Sequence, residues 1–313
     1  LFGWRESRIF LVNRRRNGLT GIIEDMVIIL KPISSAFVSV KSRRIDNLDD
    51  MLRCFDNYCS TSDYMEGYIN HFIGGINIGS GLFRRANYLR KSDLDNKIYN
   101  HEDGFEGEKI FDFKGVRVPK FFSSLPNIFM KDNLASYFNK LYLFFSESEE
   151  WNEKELKLNN FISGSNLIRN IEYFYGKQGF FNYSFLIPYG DGALNKIIYL
   201  LSIPHQYQVF SYKTKIYFHN YDRGRMTFPT KGYSVSMQFP ANKNSKSVIK
   251  NMNKAVIYYE WRVSLACDNF LDSRSFRKIY VGVDQWLDGV KALDGDNRFR
   301  SLLSDNVDIK KQA

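Results

Sequence analysis

The chain has 313 residues, 44% of them hydrophobic and 16% aromatic, which is enough apolar mass for a packed core and too much for global disorder. Lys and Arg number 44 against 34 Asp and Glu, and the formal charge of +10 favours polyanionic partners. Three cysteines (Cys54, Cys59, Cys267) make no disulfide framework or zinc spacing, and no apolar run approaches ~20 residues, so the expectation is a soluble, cytoplasmic chain with no leader segment.

Residues 5–12 and 26–40 read as strands, interrupted by Pro32, with "NRRRNG" (13–18) a loop between them. From Asp46 the period changes. Leu48, Met51, Leu52 and Phe55 follow the i, i+3, i+4, i+7 rule and predict a helix with Asp46 as N-cap. A second helix is predicted from Asp63, with Glu66 as capping-box partner, Met65, Tyr68, Ile69, Phe72 and Ile73 as its apolar stripe, and Gly74-Gly75 as its stop. His71 lies off that stripe and is expected at the surface.

Residues 91–108 read as a polar excursion, 133–145 as an aromatic-rich helix, and 147–160 as a charged helix or loop face. Together they suggest an insertion at about 92–209 within a single domain spanning 1–313. The next stretch, "YKTKIYFHN" (212–220), alternates cleanly: Tyr212, Thr214, Ile216 and Phe218 take one face, Lys213, Lys215, Tyr217 and His219 the other. "YSVSMQF" (233–239) repeats the pattern, with 222–232 as a long basic hairpin connection. A helix is predicted from Ser245, carrying Val248, Met252, Ala255, Val256 and Tyr259, and another from Phe276, carrying Ile279, Val283, Trp286, Leu287 and Val290. Strands and helices mixed in this way predict an α+β domain.

Enzyme motifs are missing from the sequence. There is no G-x-x-x-x-G-K-[ST], no helix-opening G-x-G-x-x-G, no H-E-x-x-H and no G-x-S-x-G. "GINIGSG" (75–81) lacks the lysine of a phosphate loop, "YGDGA" (189–193) reads as a hairpin turn, and "NHED" (100–103) reads as surface. The expectation is therefore no catalytic residue, no metal and no cofactor.

Three basic patches remain. "GLFRRANYLRK" (81–91) threads Arg84, Arg85, Arg90 and Lys91 through aromatics, with Arg84 and Arg85 expected to project together onto a phosphate backbone. The hairpin connection sets Arg223, Arg225 and Lys231 around Phe228-Pro229, a combination suited to gripping and stacking on single-stranded nucleic acid. Lys246, Lys250 and Lys254 recur every four residues on one helix face, with Lys243 before them; the amines repel one another unless anions lie nearby. Each patch can also be read as a solvated surface. Taken together, they favour RNA binding.

The order of these features resembles the backbone subunit of type I-F CRISPR surveillance complexes. The resemblance rests on "DMVIILK", "DNLDDMLRCFDNY", "YMEGYINHFIGG" and "GLFRR" in series. Phe228-Pro229 ahead of Tyr233-Ser234-Val235, the basic helix 246–261, and Asp284 with Trp286 extend it. It implies a ferredoxin-like, RRM-type core with large insertions. It also implies a noncatalytic scaffold that polymerises along guide RNA in an antiviral complex, with other subunits and target DNA as partners and no membrane. A structural protein of an organellar ribosome and an outer-membrane barrel component are the alternatives.

Overall fold

The computed structural model describes residues 32–90, 151–162, 177–219 and 228–307, with isolated positions outside those ranges. In chain order the elements are β1 (Phe37–Ile45), α1 (Leu48–Tyr58), β2 (Tyr64–Ile69), β3 (Gly81–Tyr88), β4 (Val116–Arg117), β5 (Asn152–Lys157) and α2 (Leu158–Ile162). These are followed by β6 (Ile168–Arg169), β7 (Phe180–Pro188), α3 (Ala193–Gln206), β8 (Lys213–His219), β9 (Gly232–Pro240), α4 (Lys243–Tyr258), β10 (Arg262–Val263), α5 (Ser273–Ile279), α6 (Val283–Leu293) and α7 (Leu302–Asn306). Eight strands form one sheet in the order β10-β7-β9-β8-β2-β3-β1-β5, and every neighbouring pair in it is antiparallel. β4 and β6 make a separate parallel pair.

An eight-stranded antiparallel sheet overturns the expectation of a ferredoxin-like, RRM-type core, whose sheet has about four strands. The sheet is instead covered on one face by helices. Tyr183, Phe185 and Ile187 of β7, Ile216 of β8, and Val235, Met237 and Phe239 of β9 point to that face at period two. They meet Leu48, Met51 and Phe55 of α1, Ile197, Leu200 and Leu201 of α3, and Val248, Ile249, Met252 and Val256 of α4 in one continuous core. Each fully buried Leu, Ile, Met or Phe there contributes ~1.5–3 kcal/mol.

α1 forms with the predicted stripe, but its N-cap is Asn47, whose side chain accepts from the Asp50 N–H at 2.9 Å. The helix predicted from Asp63 is strand β2, hydrogen-bonded on both sides by β3 and β8. His71 is buried rather than exposed: Nδ1 accepts from the Ser211 N–H at 3.1 Å and Nε2–H donates to the Leu201 carbonyl at 3.2 Å. "YGDGA" leads from β7 into α3 and is not a hairpin; Gly190 and Gly192 hold φ of +141° and +76°, which side chains rarely adopt. The polar stretch at 147–160 supplies edge strand β5 and short helix α2, with Lys41 and Glu153 paired at 3.1 Å across β1 and β5. Residues 5–12, 91–108 and 133–145 lie outside the described residues, apart from an isolated position in the last stretch.

Candidate functional site

The alternation that sends apolar side chains toward the helices sends a different set to the opposite face of the sheet. One transverse row runs Ser42 on β1, Arg84 on β3, Glu66 on β2, Tyr217 on β8, Ser234 on β9 and Leu186 on β7, in register across six strands. The next row carries Tyr68, Lys215, Ser236 and Ser184. Ser42, Glu66, Arg84, Ser184 and Ser234 are all buried. A sheet face whose centre is buried yet polar is the informative exception to apolar cores, because each such group costs free energy unless it is paired.

The pairing is found. Glu66 sits between two cations: its Oε1 accepts from Arg84 Nη1 at 3.0 Å and its Oε2 from Lys215 Nζ at 2.7 Å. All three side chains are at most 13% exposed, so the desolvation of three charges is offset only while the triad stays intact. The Phe161 ring of α2 lies 4.8 Å from the Arg84 guanidinium and closes that end of the row. Beside it Tyr64 and Tyr88 share a 2.6 Å hydroxyl–hydroxyl hydrogen bond. Burial pushes the Tyr217 phenol up, against the opposing pull of Lys215, so it stays protonated and able to donate.

At the β8–β9 end, His219 Nε2 and Ser234 Oγ are 2.6 Å apart. Burial pushes the His219 imidazole below its ordinary value, which keeps the ring neutral near pH 7. Further along, Cys267 Sγ lies 3.6 Å from Ser184 Oγ. The face therefore offers a carboxylate, a guanidinium, an ammonium, a phenol, a neutral imidazole and several hydroxyls. Such a set can hydrogen-bond a polyhydroxylated ligand and exchange a proton with it. Among the described residues, no group of three His, Cys, Asp or Glu could hold a metal ion, and no helix is long and apolar enough to cross a membrane.

The basic residues singled out in the sequence fall largely elsewhere. Arg84 and Arg85 do not project together, because successive strand residues face opposite sides of a sheet. Arg84 is locked in the triad, while Arg85 lies on the helix side, 4.1 Å from the Tyr58 ring and 5.3 Å from that of Trp151. Arg90 is exposed just past β3, and Lys91, Arg223 and Arg225 lie outside the described residues. Phe228 is half-buried, and Lys231 is exposed with its ammonium 4.7 Å from the Tyr189 ring. Lys243, Lys246, Lys250 and Lys254 are exposed on α4, which packs against the helix-bearing face and not the polar one. Lys246 lies 5.0 Å from the Phe270 ring, and Lys254 donates to Asn251 Oδ1 at 3.1 Å.

Sequence reasoning grouped Lys215, Tyr217 and His219 on one strand face but did not see a site there. In sequence Glu66 reads as a capping-box residue and Ser234 as part of a short strand motif, neither as a site residue. Their signal was available in principle: an acidic residue and a serine on the polar side of strands otherwise rich in aromatics and β-branched residues.

An antiparallel sheet with its main helices on one face and a buried polar row on the other defines the class of arrangement, and one comparison bears on its use. No family model matches the chain. Over 311 residues it is 22% identical to the decaprenylphosphoryl-beta-D-ribose oxidase of Mycolicibacterium smegmatis, a match covering 97% of this chain and 64% of that protein. The chain thus spans less than two thirds of the relative's length. Similarity to an oxidase overturns the expectation of a noncatalytic, RNA-binding scaffold subunit of a CRISPR or other ribonucleoprotein complex, together with its nucleic-acid partners.

Proposed function

We propose that the chain is the substrate-facing part of an oxidoreductase, and that the polar sheet face receives the hydroxyl-bearing group that is oxidised. By analogy with the relative's name, the substrate class is a sugar joined through a phosphoryl group to a polyprenyl chain. The observation that carries the proposal is the row Ser42–Arg84–Glu66–Tyr217–Ser234, buried except at the half-buried Tyr217, where a sheet of this kind would otherwise be apolar or solvated. Pre-paired donors and acceptors on adjacent rigid strands fix orientation for a pentose better than loops do.

Oxidation of an alcohol also needs a two-electron acceptor, which no side chain supplies. The turn from β7 into α3 carries Gly190 and Gly192 but has Asn195 where G-x-G-x-x-G has its third glycine, so it matches that motif in part; the reading is confined to the substrate side.

The test is to incubate the purified protein with farnesylphosphoryl-β-D-ribose and an artificial electron acceptor, and to follow the sugar by mass spectrometry. The expected result is loss of two hydrogens from the ribose, with saturable binding measured by calorimetry. Absence of both binding and oxidation overturns the proposal.

A further inference from the structure

The polar face contains one contact suited to moving a proton. His219 Nε2 and Ser234 Oγ approach to 2.6 Å, and Ser234 lies directly across the β8–β9 ladder from Tyr217. Among the described residues His219 is the hydrogen-bond partner of the Ser234 hydroxyl, and no carboxylate engages the ring. The contact is therefore unlike the protein's other well-placed histidine. His71 has both ring nitrogens committed to backbone groups, one as acceptor and one as donor, and has no capacity left for chemistry.

We infer that His219 and Ser234 form the proton-accepting pair for the hydroxyl oxidised on this face, Ser234 touching the substrate and His219 receiving the proton through it. The inference rests on the proposed oxidoreductase reading and adds a catalytic pair to it.

The substrate hydroxyl gives its proton to Ser234 Oγ as the Ser234 proton passes to His219 Nε2. The carbon–hydrogen bond breaks with its electron pair leaving as hydride to a bound two-electron acceptor, and the carbon–oxygen double bond forms. One imidazolium and one reduced acceptor result. In the tautomer with Nε2 unprotonated, Ser234 Oγ donates to it and keeps its lone pairs for an incoming hydroxyl, and the neutral imidazole has a vacant site for the proton. Among the described residues, the titratable or charged groups sharing the face include Lys213, Lys215 and Tyr217 on β8, Tyr64, Glu66 and Tyr68 on β2, Arg84 and Tyr88 on β3, Lys154 on β5 and Arg262 on β10, with Cys267 beside Ser184. Lys215 and Arg84 are both ion-paired to Glu66.

The experiment compares Ser234→Ala and His219→Gln with the unaltered protein in the farnesylphosphoryl-ribose assay, with kcat and kcat/KM followed from pH 5 to 9 and melting temperatures recorded alongside. We expect Ser234→Ala to lower kcat at least about 100-fold with little change in KM. In His219→Gln the acid limb of the profile, set by His219 protonation in the unaltered protein, should vanish from the residual rate. A structural role would instead lower the melting temperature and leave the acid limb in place. If the unaltered protein oxidises the sugar and His219→Gln keeps both its kcat and its acid limb, the pair is overturned while the oxidoreductase reading stands. If the unaltered protein neither binds nor oxidises the sugar, that reading falls and the pair falls with it.

Discussion

The two faces of the sheet are made by the same strands from alternate residues, yet they obey opposite rules. On the helix side Phe55, Phe83, Tyr233 and Phe239 interlock with α1, α3 and α4, and stability there comes from apolar area removed from water. On the other side Ser42, Glu66, Arg84 and Ser234 are also buried, but there burial is sustained by ion pairs and hydrogen bonds whose net return is small and whose loss is costly. The first face tolerates changes of similar volume. The second tolerates only changes that keep charges matched, which suits a surface built to hold a polar ligand.

The largest expected effect comes from a position that serves both faces. Gly81 opens β3 opposite Ile69, and a β-carbon on it would overlap the Tyr68 carbonyl oxygen, a backbone atom that cannot swing away. Gly81→Ala should separate β3 from β2 at their paired end and cost more than about 4 kcal/mol, so the check is loss of the cooperative denaturant transition.

Next come substitutions that set the two faces against each other. On the helix side Phe83→Ala should cost about 3–5 kcal/mol, by removing a fully buried ring that packs edge-on against Phe55 at 5.1 Å. On the polar side Glu66→Gln should cost about the same, 3–5 kcal/mol, although it changes almost no volume, because Arg84 and Lys215 would be left as buried cations without a carboxylate. Lys215→Met is the sharpening control: it keeps the neutral Arg84–Glu66 pair and should give the smaller loss in urea unfolding. Equal losses for Glu66→Gln and Lys215→Met would break the comparison.

How far these faces could be read from sequence depends on how local their determinants are. The stripes of α1 and α4 and the alternation of β8 and β9 were legible because each is fixed by residues within one element. β2 was not. "YMEGYINHFI" satisfies helical spacing through Met65, Tyr68, Ile69 and Phe72 as well as strand spacing through Met65, Gly67 and Ile69, and pairing with distant β3 and β8 decided between them. That single misreading hid the site, since it assigned Glu66 to a helix cap and left Arg84 without its partner. The contact between His219 and Ser234 depends on the register of a hairpin whose connection is more than ten residues long, which no turn signature specifies.

A graded effect, spread over several pH units, separates the two histidine environments. His71 is fully buried and neutral, with its imidazole pushed down to about 3 by burial and by the neighbouring His205 ring, 4.7 Å away centroid to centroid. In the unfolded chain the same group titrates near 6.5. The folded value is the lower one, so the unfolded state binds the extra proton across that window. Its contribution to stability is complete above about pH 6.5 and declines as pH falls toward 3, with a slope approaching about 1.4 kcal/mol per pH unit. Urea unfolding at a series of pH values should show this decline, and His71→Gln should flatten it.

The smallest effect tests whether the exposed lysine row of α4 is independent of both faces. Lys246, Lys250 and Lys254 stand one turn apart on the solvent side of the helix, a like-charge series that costs a few tenths of a kcal/mol per neighbouring pair, about 0.2–0.5. Lys250→Glu converts both neighbouring repulsions into i, i+4 attractions without touching the core residues Ile249 or Met252. The better oriented of the two is the one toward Lys254, with the acid N-terminal to the base. The protein should therefore gain roughly 1 kcal/mol, read as a rise in melting temperature of about 1–2 °C that disappears in about 1 M salt, where charges more than about 3 Å apart are screened. On the proposed reading, oxidation of the sugar should be unchanged, since α4 packs on the face of the sheet that carries neither the Arg84–Glu66–Lys215 triad nor His219. A rate lowered by Lys250→Glu at unchanged stability would mean that this cationic row takes part in substrate capture, and the division of labour between the two faces would have to be redrawn.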